Sequence, residues 1–498
     1  VDEDANESGF SGEATAMPQG PFITTWETTS PGESITIPTN GESVSSYDFE
    51  VDWGDGTTEQ YSGRDPDPTH SYAEAGTHTV KISGTFPRIF LDAGSGGDGD
   101  EENAQKLQSL EQWGSVQWER FEAAFAGASD LTYGTAGAPD LSGVTSLRSM
   151  FEDATSFNGD IGDWDVSSVE DMESMFLGAS SFNQNIGSWD VSSVTDMSDM
   201  FNTAYRFNNG GSSDINSWDV SGVTDMKRMF NDASSFDQDI SSWETGSVTN
   251  MALMFNDASS FNQDVGGWDV SSVRDMSSMF RAASSFNNGD SSGIGTWDVS
   301  NVTDMEGMFS RADSFNQDIG QWDVTSVDDS DPDLDDSLEG FLDGSGLSAE
   351  NYDALLIGWA ELDLTDGLSF GAEGVQYSTE AEAARRSIVE KEGWTISDGG
   401  LVTDPFVTTW ETTSPSESIT IPTEGEGVSS YNFGVDWGDG TTEQVTGEDP
   451  DPSHTYEEAG TYTVKIFVSG SDEAFPRIFL NAGSKGDGDQ SNARKLRS

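Results

Sequence analysis

Large apolar residues recur at a nearly constant spacing through the middle of the chain. Successive tryptophans in this region lie 25, 29, 25, 25, 29 and 25 residues apart. They are Trp164, Trp189, Trp218, Trp243, Trp268, Trp297 and Trp322. Such a period is typical of a repeat array, in which no unit can bury its apolar side alone and stacked neighbours share one core. The pattern therefore predicts a solenoid of repeats over residues 139–325.

Within each repeat the apolar spacing changes partway. Phe182 and Ile186 lie at positions compatible with alternation, whereas the apolar residues between positions 194 and 204 step by three and four, the spacing of one helix face. Ser193 followed by Asp196 has the form of a helix capping box, with Asp in place of the usual Glu. Each repeat is therefore predicted to contain one short strand and one helix.

Three further features of the repeats have predicted roles. The two longer intervals contain Gly- and Ser-rich expansions at residues 209–213 and 288–293, which are predicted to be loops on one face. The Asn that follows the repeat Phe, as in Asn183, is predicted to bridge backbone groups of neighbouring repeats. The periodic tryptophans are predicted to be core residues rather than a strip for sugar stacking, since exposed aromatics would be expected in the variable loops.

A much longer period relates the two ends of the chain. Residues 22–26 (FITTW) recur as 406–410 (FVTTW), and residues 51–56 (VDWGDG) recur as 435–440, at an offset of 384. Alternating apolar positions over residues 77–82, with Gly and Asp turn signals nearby, predict antiparallel strands. Two β-sandwich modules are therefore predicted to flank the repeats, and the chain is expected to be part of a longer tandem array.

The predicted organisation has seven segments. These are an acidic linker or tail (1–20), a β-sandwich (21–104), an N-terminal cap of the solenoid (105–138), the repeats (139–325), a C-terminal cap (326–400), a second β-sandwich (401–482) and the start of a further module (483–498).

The repeat motifs WDVSSVTDM and MFxxAxSFNQDI closely resemble those of BspA-like leucine-rich-repeat surface proteins. The resemblance covers roughly residues 105 to 400 and implies a leucine-rich-repeat-like solenoid that is extracellular and often adhesive. The flanking modules resemble polycystic-kidney-disease (PKD-like) domains through DWGDG at residues 52–56 and HTY at residues 454–456, which implies immunoglobulin-like β-sandwiches acting as spacers or adhesion modules. The expected fold class is thus a multidomain α/β repeat plus all-β modules.

The net charge of the chain indicates the kind of source organism and argues against some classes of partner. Against 21 Lys and Arg stand 91 Asp and Glu, a net charge of −70. Such self-repulsion destabilises a compact state unless it is screened, and in molar salt the Debye length falls to about 3 Å. We therefore expect a halophilic microbe as the source. Nucleic acid and anionic lipid are not expected as partners, because both would be repelled.

The sequence offers little that could serve catalysis. Cysteine is absent, which rules out disulfides and thiolate chemistry. The three histidines are His70, His78 and His454, and two of them occupy the same position of a duplicated module. A structural hydrogen-bonding role is therefore the interpretation for that pair, and no Ser/His/Asp arrangement can be argued. The chain is predicted not to be an enzyme, with no catalytic residue and no cofactor-binding residue.

Acidic loops are the candidates for metal binding, with Ca²⁺ as the ion, because hard cations take clustered oxygen ligands. The candidate ligands are Asp98, Asp100, Asp329, Asp331, Asp333 and Asp335. The alternative for each loop is a solvated acidic surface without a specific ion. Two N-glycosylation sequons, at Asn6 and Asn301, are the candidate modification sites.

These observations predict an extracellular, cell-surface structural or adhesive protein, a subunit of a stalk, coat or filament. Self-association into a homopolymer or array through contacts between modules in high salt is expected, and cell-surface glycans are candidate ligands. Two alternatives are a carbohydrate-binding adhesin and a non-catalytic region of a larger secreted hydrolase. No stretch approaches the ~18 consecutive apolar residues of a membrane-spanning helix, so membrane insertion within this chain is not expected.

Overall fold

The structure is a computed structural model of the 498-residue chain. It describes residues 20–94, 97, 99–134, 137–328, 337–402, 406–421, 431–447, 452–468 and 496–497. The chain forms two compact units. The first comprises Val1–Val375 with Ser387–Asp398, and the second comprises Gln376–Arg386 with Gly399–Ser498.

The N-terminal module of the first unit is built mainly from antiparallel strands. They are β1 (Phe22–Thr28), β2 (Ser34–Thr36), β3 (Tyr47–Asp52), β4 (Thr58–Gly63), β5 (Thr69–Ser71) and β6 (Gly76–Thr85). Alternate side chains of β1 and β3 are buried, as the two-residue period of a half-covered strand requires. With β7 (Leu107–Gln112) and β8 (Thr132–Tyr133), four of these strands form a six-stranded sheet of order β4-β3-β6-β1-β7-β8, and β2 pairs with β5.

The module and the repeats share one core. A short helix, α1 (Glu101–Gln105), precedes β7, which pairs antiparallel with β1 and parallel with β8 at the start of the repeats. Phe22 of β1 is fully buried, and its ring lies 6.0 Å from that of Trp113 and 5.1 Å from that of Trp118. The backbone N–H of Asp92 also donates to the carbonyl of Ala123 at 3.1 Å. Residues on both sides of the junction therefore belong to a continuous packed interior.

The repeats contain neither the predicted helices nor continuous strands. Between β8 and α2 (Ala349–Trp359), the described residues form turns, isolated bridges and short 3₁₀ segments. These segments are η1 (Asn209–Gly211), η2 (Ser213–Ser217), η3 (Asn288–Asp290) and η4 (Ser292–Thr296). The predicted α/β leucine-rich-repeat-like solenoid is therefore wrong, because the described chain consists mostly of strands, turns and loops in several small sheets.

Consecutive turns, rather than a helix, produce the spacing by three and four. The N–H of Val169 donates to the carbonyl of Val166, and that of Met175 donates to Met172, so each turn begins and ends on an apolar residue that faces the core. Ser174, inside the second of these turns, has a φ of 57°. A right-handed helix requires φ near about −60° and cannot continue through a left-handed residue.

Hydrogen bonds between coils replace the bonds that a helix would make. We call each tryptophan-to-tryptophan repeat a coil. The N–H of Met172 donates to the carbonyl of Asp196 in the next coil at 3.0 Å, and that of Ser174 donates to Ser198 at 2.9 Å. Asp196 caps no helix, because its Oδ1 accepts the N–H of Ser198 in a local turn at 2.9 Å. The predicted capping box is therefore also wrong.

The core of the stack consists of aligned aromatic and methionine side chains. The seven periodic tryptophans are 1 to 4% exposed, which confirms that they are core residues. Each indole from Trp189 onward donates its Nε1–H to the carbonyl three residues before the previous periodic tryptophan, as Trp189 does to Ile161 at 3.0 Å. The ring of Phe176 stacks on Phe182 of its own coil at 4.0 Å and on Phe201 of the next at 5.5 Å.

Two coils are four residues longer than the others. We call residues 189–217 the first expanded coil and residues 268–296 the second expanded coil. Each contains a fully buried Asn with a left-handed backbone, Asn209 (φ 48°) and Asn288 (φ 55°). Asn209 Oδ1 accepts the N–H of Ile186 at 2.9 Å, and Asn288 Oδ1 accepts that of Val265 at 2.8 Å. The buried amide therefore anchors the extra residues to the core.

The C-terminal part of the first unit returns to regular structure. Helix α2 begins after Ser348, whose Oγ accepts the N–H of Asn351 at 3.3 Å. Strands β9 (Ser369–Ala372) and β10 (Thr395–Asp398) pair in parallel. Helix α3 spans Glu382–Lys391, of which residues 387–391 belong to this unit. Trp359, Phe370 and Trp394 pack together in the core of this region.

The second unit contains a strand set that mirrors the first module. Its strands are β11 (Phe406–Glu411), β12 (Glu417–Thr420), β13 (Tyr431–Asp436), β14 (Thr442–Gly447), β15 (Ser453–Tyr456), β16 (Thr461–Val468) and β17 (Leu496–Arg497). One sheet has the order β14-β13-β16-β11-β17, and β12 pairs with β15. Trp410, Trp437 and Tyr456 lie in its core. None of the helices in the described ranges has both the length and the hydrophobicity of a membrane crossing.

Candidate functional site

Register between coils places equivalent side chains in columns on the surface of the stack. The outer acidic column follows each tryptophan and consists of Asp165, Asp190, Asp219, Glu244, Asp269, Asp298 and Asp323. Its carboxylates are exposed and most are held by local turns. Asp190 Oδ1, for example, accepts the N–H and the Oγ–H of Ser192 at 3.2 and 2.6 Å. The column therefore presents oriented negative charges at regular intervals.

A second column of acids lies deeper. The inner acidic column consists of five aspartates and one asparagine, Asp171, Asp196, Asp225, Asn250, Asp275 and Asp304, which are joined in this order by isolated parallel bridges. Burial raises the pKa of the Asp225 carboxyl, and the charge of Asp196 on the neighbouring coil raises it further. Hydrogen-bonded strands lie about 4.8 Å apart, so stacking holds these like charges close together. Their repulsion destabilises the stack unless salt screens it.

An amide column lines another edge of the stack. The Oδ1 of Asn158 accepts the N–H of Asn183 at 2.8 Å, and the Oδ1 of Asn183 accepts that of Asn208 at 2.8 Å. The same bond recurs through Asp237, Asn262, Asn287 and Asn316 to Ser348. The predicted bridging role of these residues is confirmed. They hold the coils in register and are therefore structural.

A polar cavity of about 520 Å³ opens beside the first expanded coil. It is lined by Ser213, Asp214, Asn216, Ser217, Trp218, Asp219, Val220, Ser221, Ser242 and Glu244. Asn216 spans its wall, since Oδ1 accepts the N–H of Ser242 at 2.9 Å and Nδ2 donates to Asp239 at 3.2 Å. Trp218 and Val220 lie beneath the polar groups and are almost completely buried, with exposed fractions of 3% and 0%.

The cavity presents an ionised carboxylate, that of Asp219, as a hydrogen-bond acceptor in a fixed position. Hydrogen bonds from the Oγ–H and the N–H of Ser221 lower the pKa of the Asp219 carboxyl. That group is therefore ionised at neutral pH. Asp219 and Glu244 occupy successive positions of the outer acidic column, so two carboxylates border the cavity from adjacent coils. Side-chain hydroxyls of four serines complete the polar lining.

The histidines of the two modules occupy matched structural positions. His70 Nε2 lies 2.8 Å from Asp55 Oδ2, and His454 Nε2 lies 2.7 Å from Asp439 Oδ2. The hydrogen bond with His70 is the main reason that the pKa of Asp55 falls to about 2. The imidazole of His70 also stacks on Trp53 at 5.1 Å. The pair thus ties a strand to the neighbouring turn, in agreement with the structural interpretation.

The predicted metal ligands are not brought together in the described part of the chain. Asp98, Asp329, Asp331, Asp333 and Asp335 lie outside the described residues. Asp100 caps α1, because its Oδ1 accepts the N–H of Asn103 at 3.1 Å. Among the residues that the structure describes, no group of three or more His, Asp or Glu side chains is arranged to hold a metal ion.

The two predicted glycosylation sites differ in what the structure describes. Asn6 lies outside the described residues. Asn301 is exposed, and its Nδ2 donates to the carbonyl of Ser271 at 2.8 Å. Its exposure is compatible with the sequon, which stays a prediction.

Sequence reasoning missed the cavity residues, although a signal was present. Where the second expanded coil has Gly293 and Gly295, the first has Asp214 and Asn216. The coil that begins at Trp243 reads Glu-Thr-Gly at 244–246, where its neighbours read Asp-Val-Ser. Departures from the repeat pattern at these two places meet at one cavity. Comparison of the coils position by position would have identified them.

Known proteins resemble only part of the chain. Residues 119–213, 209–293 and 291–332 match the family described as "Mycoplasma protein of unknown function, DUF285". The match lies within the repeats and their N-terminal side and leaves both flanking modules outside it. No curated protein and no solved structure matches the chain.

Proposed function

We propose that this chain belongs to an extracellular structural and adhesive protein of a salt-adapted microbe, which assembles on the cell surface through contacts between its modules. The observation that carries the proposal is the shared core at the junction of the first module and the repeats. A stalk or coat must transmit force from one module to the next, and a continuous packed interior does so where a loose linker would not.

The junction is secured by several independent contacts. Strand β7 pairs on one side with β1 and on the other with β8. Trp113 contacts Phe22 of the module and Phe125 on the N-terminal side of the repeats, with ring centroids 6.0 and 5.9 Å apart. Arg88, which is 6% exposed, donates to the carbonyl of Glu122 at 3.3 Å. Relative motion of the two parts would break these contacts together.

The acidic surface supports assembly in high salt. Repulsion between the outer acidic columns of neighbouring molecules opposes contact at low ionic strength and is screened when the Debye length falls to a few ångströms. Assembly is then driven by the remaining short-range contacts. A microbe that lives in molar salt would meet this condition continuously, which is why we assign the protein to such a source.

Electron microscopy of the purified protein tests the proposal. In molar salt we expect ordered filaments or sheets, and after dilution we expect dispersed particles, both with and without added Ca²⁺. Circular dichroism on the same samples establishes that dispersal is not unfolding. Dispersed single particles under every condition would refute assembly as the function.

A charge variant sharpens the test. Asp165→Asn, Asp190→Asn and Asp298→Asn together remove three charges of the outer acidic column while keeping the Oδ1 acceptor of each turn. Assembly should then begin at a lower salt concentration than in the wild type. The matched control, Ser167→Ala, Ser192→Ala and Ser300→Ala, removes the hydroxyl bonds to the same aspartates without changing the charge. Equal shifts in both variants would contradict the electrostatic explanation.

A further inference from the structure

The cavity beside the first expanded coil is large enough to admit a small polar ligand. Its volume of about 520 Å³ lies within the range of small-ligand pockets, roughly 300 to 1,000 Å³. Its wall residue Asn216 is held by two hydrogen bonds to the next coil. The carboxylate of Asp214 is held by Asn185 and Asn209 at 3.0 and 2.9 Å. The walls are therefore preorganised.

The sequence around the cavity departs from the repeat pattern on both sides. The first expanded coil carries Asp214 and Asn216 where the second carries glycines. In the coil that begins at Trp243, Thr245 stands where other coils have Val, and its buried hydroxyl donates to the carbonyl of Asp269 at 2.9 Å. A repeat that only builds the stack has no need of such substitutions, and sequences break their own local rules most often at functional positions.

The lining determines what kind of ligand it can take. Asp219 and Glu244 are hydrogen-bond acceptors, and the serine hydroxyls both donate and accept. A ligand that satisfies them must offer several donors at once. Two chemical classes meet this requirement, namely polyhydroxylated neutral molecules and organic cations.

Molar salt favours neutral polyhydroxylated ligands over organic cations. In molar salt the attraction between an exposed carboxylate and an organic cation is screened within about 3 Å, and abundant inorganic cations compete for the same position. A neutral hydroxyl carries no net charge to be screened, and its hydrogen bond to a carboxylate acts at contact distance, so salt weakens this bond less.

From these observations we infer that the cavity binds a neutral saccharide, with Asp219 and Glu244 accepting hydrogen bonds from its hydroxyl groups. The inference rests on the adhesive part of the proposed function and assigns that activity to one place on the stack. It requires no metal and no covalent step.

Ligand-observed saturation-transfer NMR on the full chain in molar salt is the test. The probe is a panel of neutral disaccharides of hexoses and N-acetylhexosamines at millimolar concentration. We expect saturation transfer to at least one member. The variant Asp219→Asn with Glu244→Gln should weaken its binding about tenfold or more, because a carboxylate accepts a hydroxyl bond more strongly than an amide. No transfer to any disaccharide would overturn the inference.

The chain supplies a matched control at the second expanded coil. Asp298 and Asp323 occupy the positions equivalent to Asp219 and Glu244. Asp298→Asn with Asp323→Asn should leave saccharide binding unchanged, and equal weakening by both pairs would show a generic acidic surface instead of a site. Displacement of the sugar by choline at the same concentration would assign the cavity to organic cations and also overturn the inference.

The same samples separate this inference from the proposed function. If the Asp219→Asn and Glu244→Gln variant still assembles in the electron microscope but loses the sugar, the site is independent of assembly. If the wild type binds sugar without assembling, the assembly proposal fails and the saccharide site stands.

Discussion

The first and second expanded coils accommodate insertions of the same length with different residues. Each has four residues more than its neighbours, a buried Asn with positive φ and two short 3₁₀ segments. The first fills its extra segment with Asp214 and Asn216, whose side chains bond to adjacent coils. The second has Gly293 and Gly295 at those positions.

Glycine serves a close backbone approach in the second coil. A Cβ on Gly295 would lie 2.3 Å from the carbonyl oxygen of Asp318, and one on Gly293 would lie 2.9 Å from Cα of Gly266. In the coil before the first expanded coil, Gly187 instead leaves room for the Asp214 carboxylate. Insertions of equal length therefore give a polar, hydrogen-bonded wall in one coil and tight backbone packing in the other.

Removal of the buried amides should produce the largest effect. Asn209→Ala leaves the N–H of Ile186 without its acceptor and removes two donor contacts, to Ser212 and Asp214. A buried group left unsatisfied costs about 1 to 3 kcal/mol, so we expect a loss of roughly 3 to 5 kcal/mol in the free energy of unfolding. Urea denaturation in molar salt measures it.

Asn288→Ala is the matched comparison for Asn209→Ala. Asn288 makes one acceptor and one donor contact, to Val265 and Ser291. Its replacement should therefore be destabilising by roughly 1 kcal/mol less than that of Asn209. Equal losses would mean that the contact between Asn209 and Asp214 contributes nothing.

Gly295→Asn should be the next most damaging change. The new Cβ would meet the carbonyl oxygen of Asp318 at 2.3 Å, so the backbone must shift. We expect a loss of about 2 kcal/mol, within the range for overpacked sites. Gly211→Ala is the control, since a Cβ there meets nothing within 4 Å and only the left-handed backbone opposes it. A smaller loss for Gly295→Asn than for this control would refute the packing argument.

Asn216→Gly gives the first expanded coil the residue that the second has at this position. It should have a moderate effect on stability. It removes the hydrogen bonds to Ser242 and Asp239. The loss of each bond should lower the free energy of unfolding by about 1 kcal/mol at most. The change should be local, with faster hydrogen exchange at the Ser242 amide and unchanged exchange at the Trp322 indole. Global acceleration of exchange would contradict it.

The smallest expected effect is a pH dependence of local stability that is confined to the first expanded coil. Burial raises the pKa of the Asp214 carboxyl, but hydrogen bonds from Ser212, Asn185 and Asn209 outweigh burial and the pKa is lowered. A lowered pKa in the folded state gives stability that is present above the unfolded value near 3.8 and is lost as the pH falls below it.

Amide protection factors near neutral pH and at about pH 3 measure this difference. The segment Ser213–Ser217 should lose protection in acid relative to Ser292–Thr296, which carries no carboxylate. Asp214→Asn should abolish the difference between the two segments. A difference that persists in the variant would have another origin.

Much of the stack could be predicted because its core positions repeat. The constant phase of the tryptophans identified them as core, and the recurring Asn identified a bridge between coils. The helix prediction failed because turns closed by Val166 and Val169, or by Met172 and Met175, place apolar residues three apart just as a helix does. Nothing in that spacing records the left-handed φ of Ser174.

The candidate site was less predictable than the core. Asp219 belongs to a column that looks uniform in sequence, and only the neighbouring coil supplies Glu244 to the same cavity. Asn216 acquires a role through its bonds to Ser242 and Asp239, which lie 26 and 23 residues away. Contacts at that separation depend on how coils stack, and single-coil patterns do not reveal them.

By itself the amino-acid sequence determined the repeat period, the side chains that face the core and the duplication of the flanking module, because these follow from which residues are apolar and where they recur. Tertiary structure alone decided that the coils are made of turns, that Phe22 and Trp118 join the first module to the repeats, and that one expanded coil borders a cavity. The physical reason is that backbone amides such as that of Met172 find their acceptors in the next coil, so the conformation of each coil is set by its neighbour.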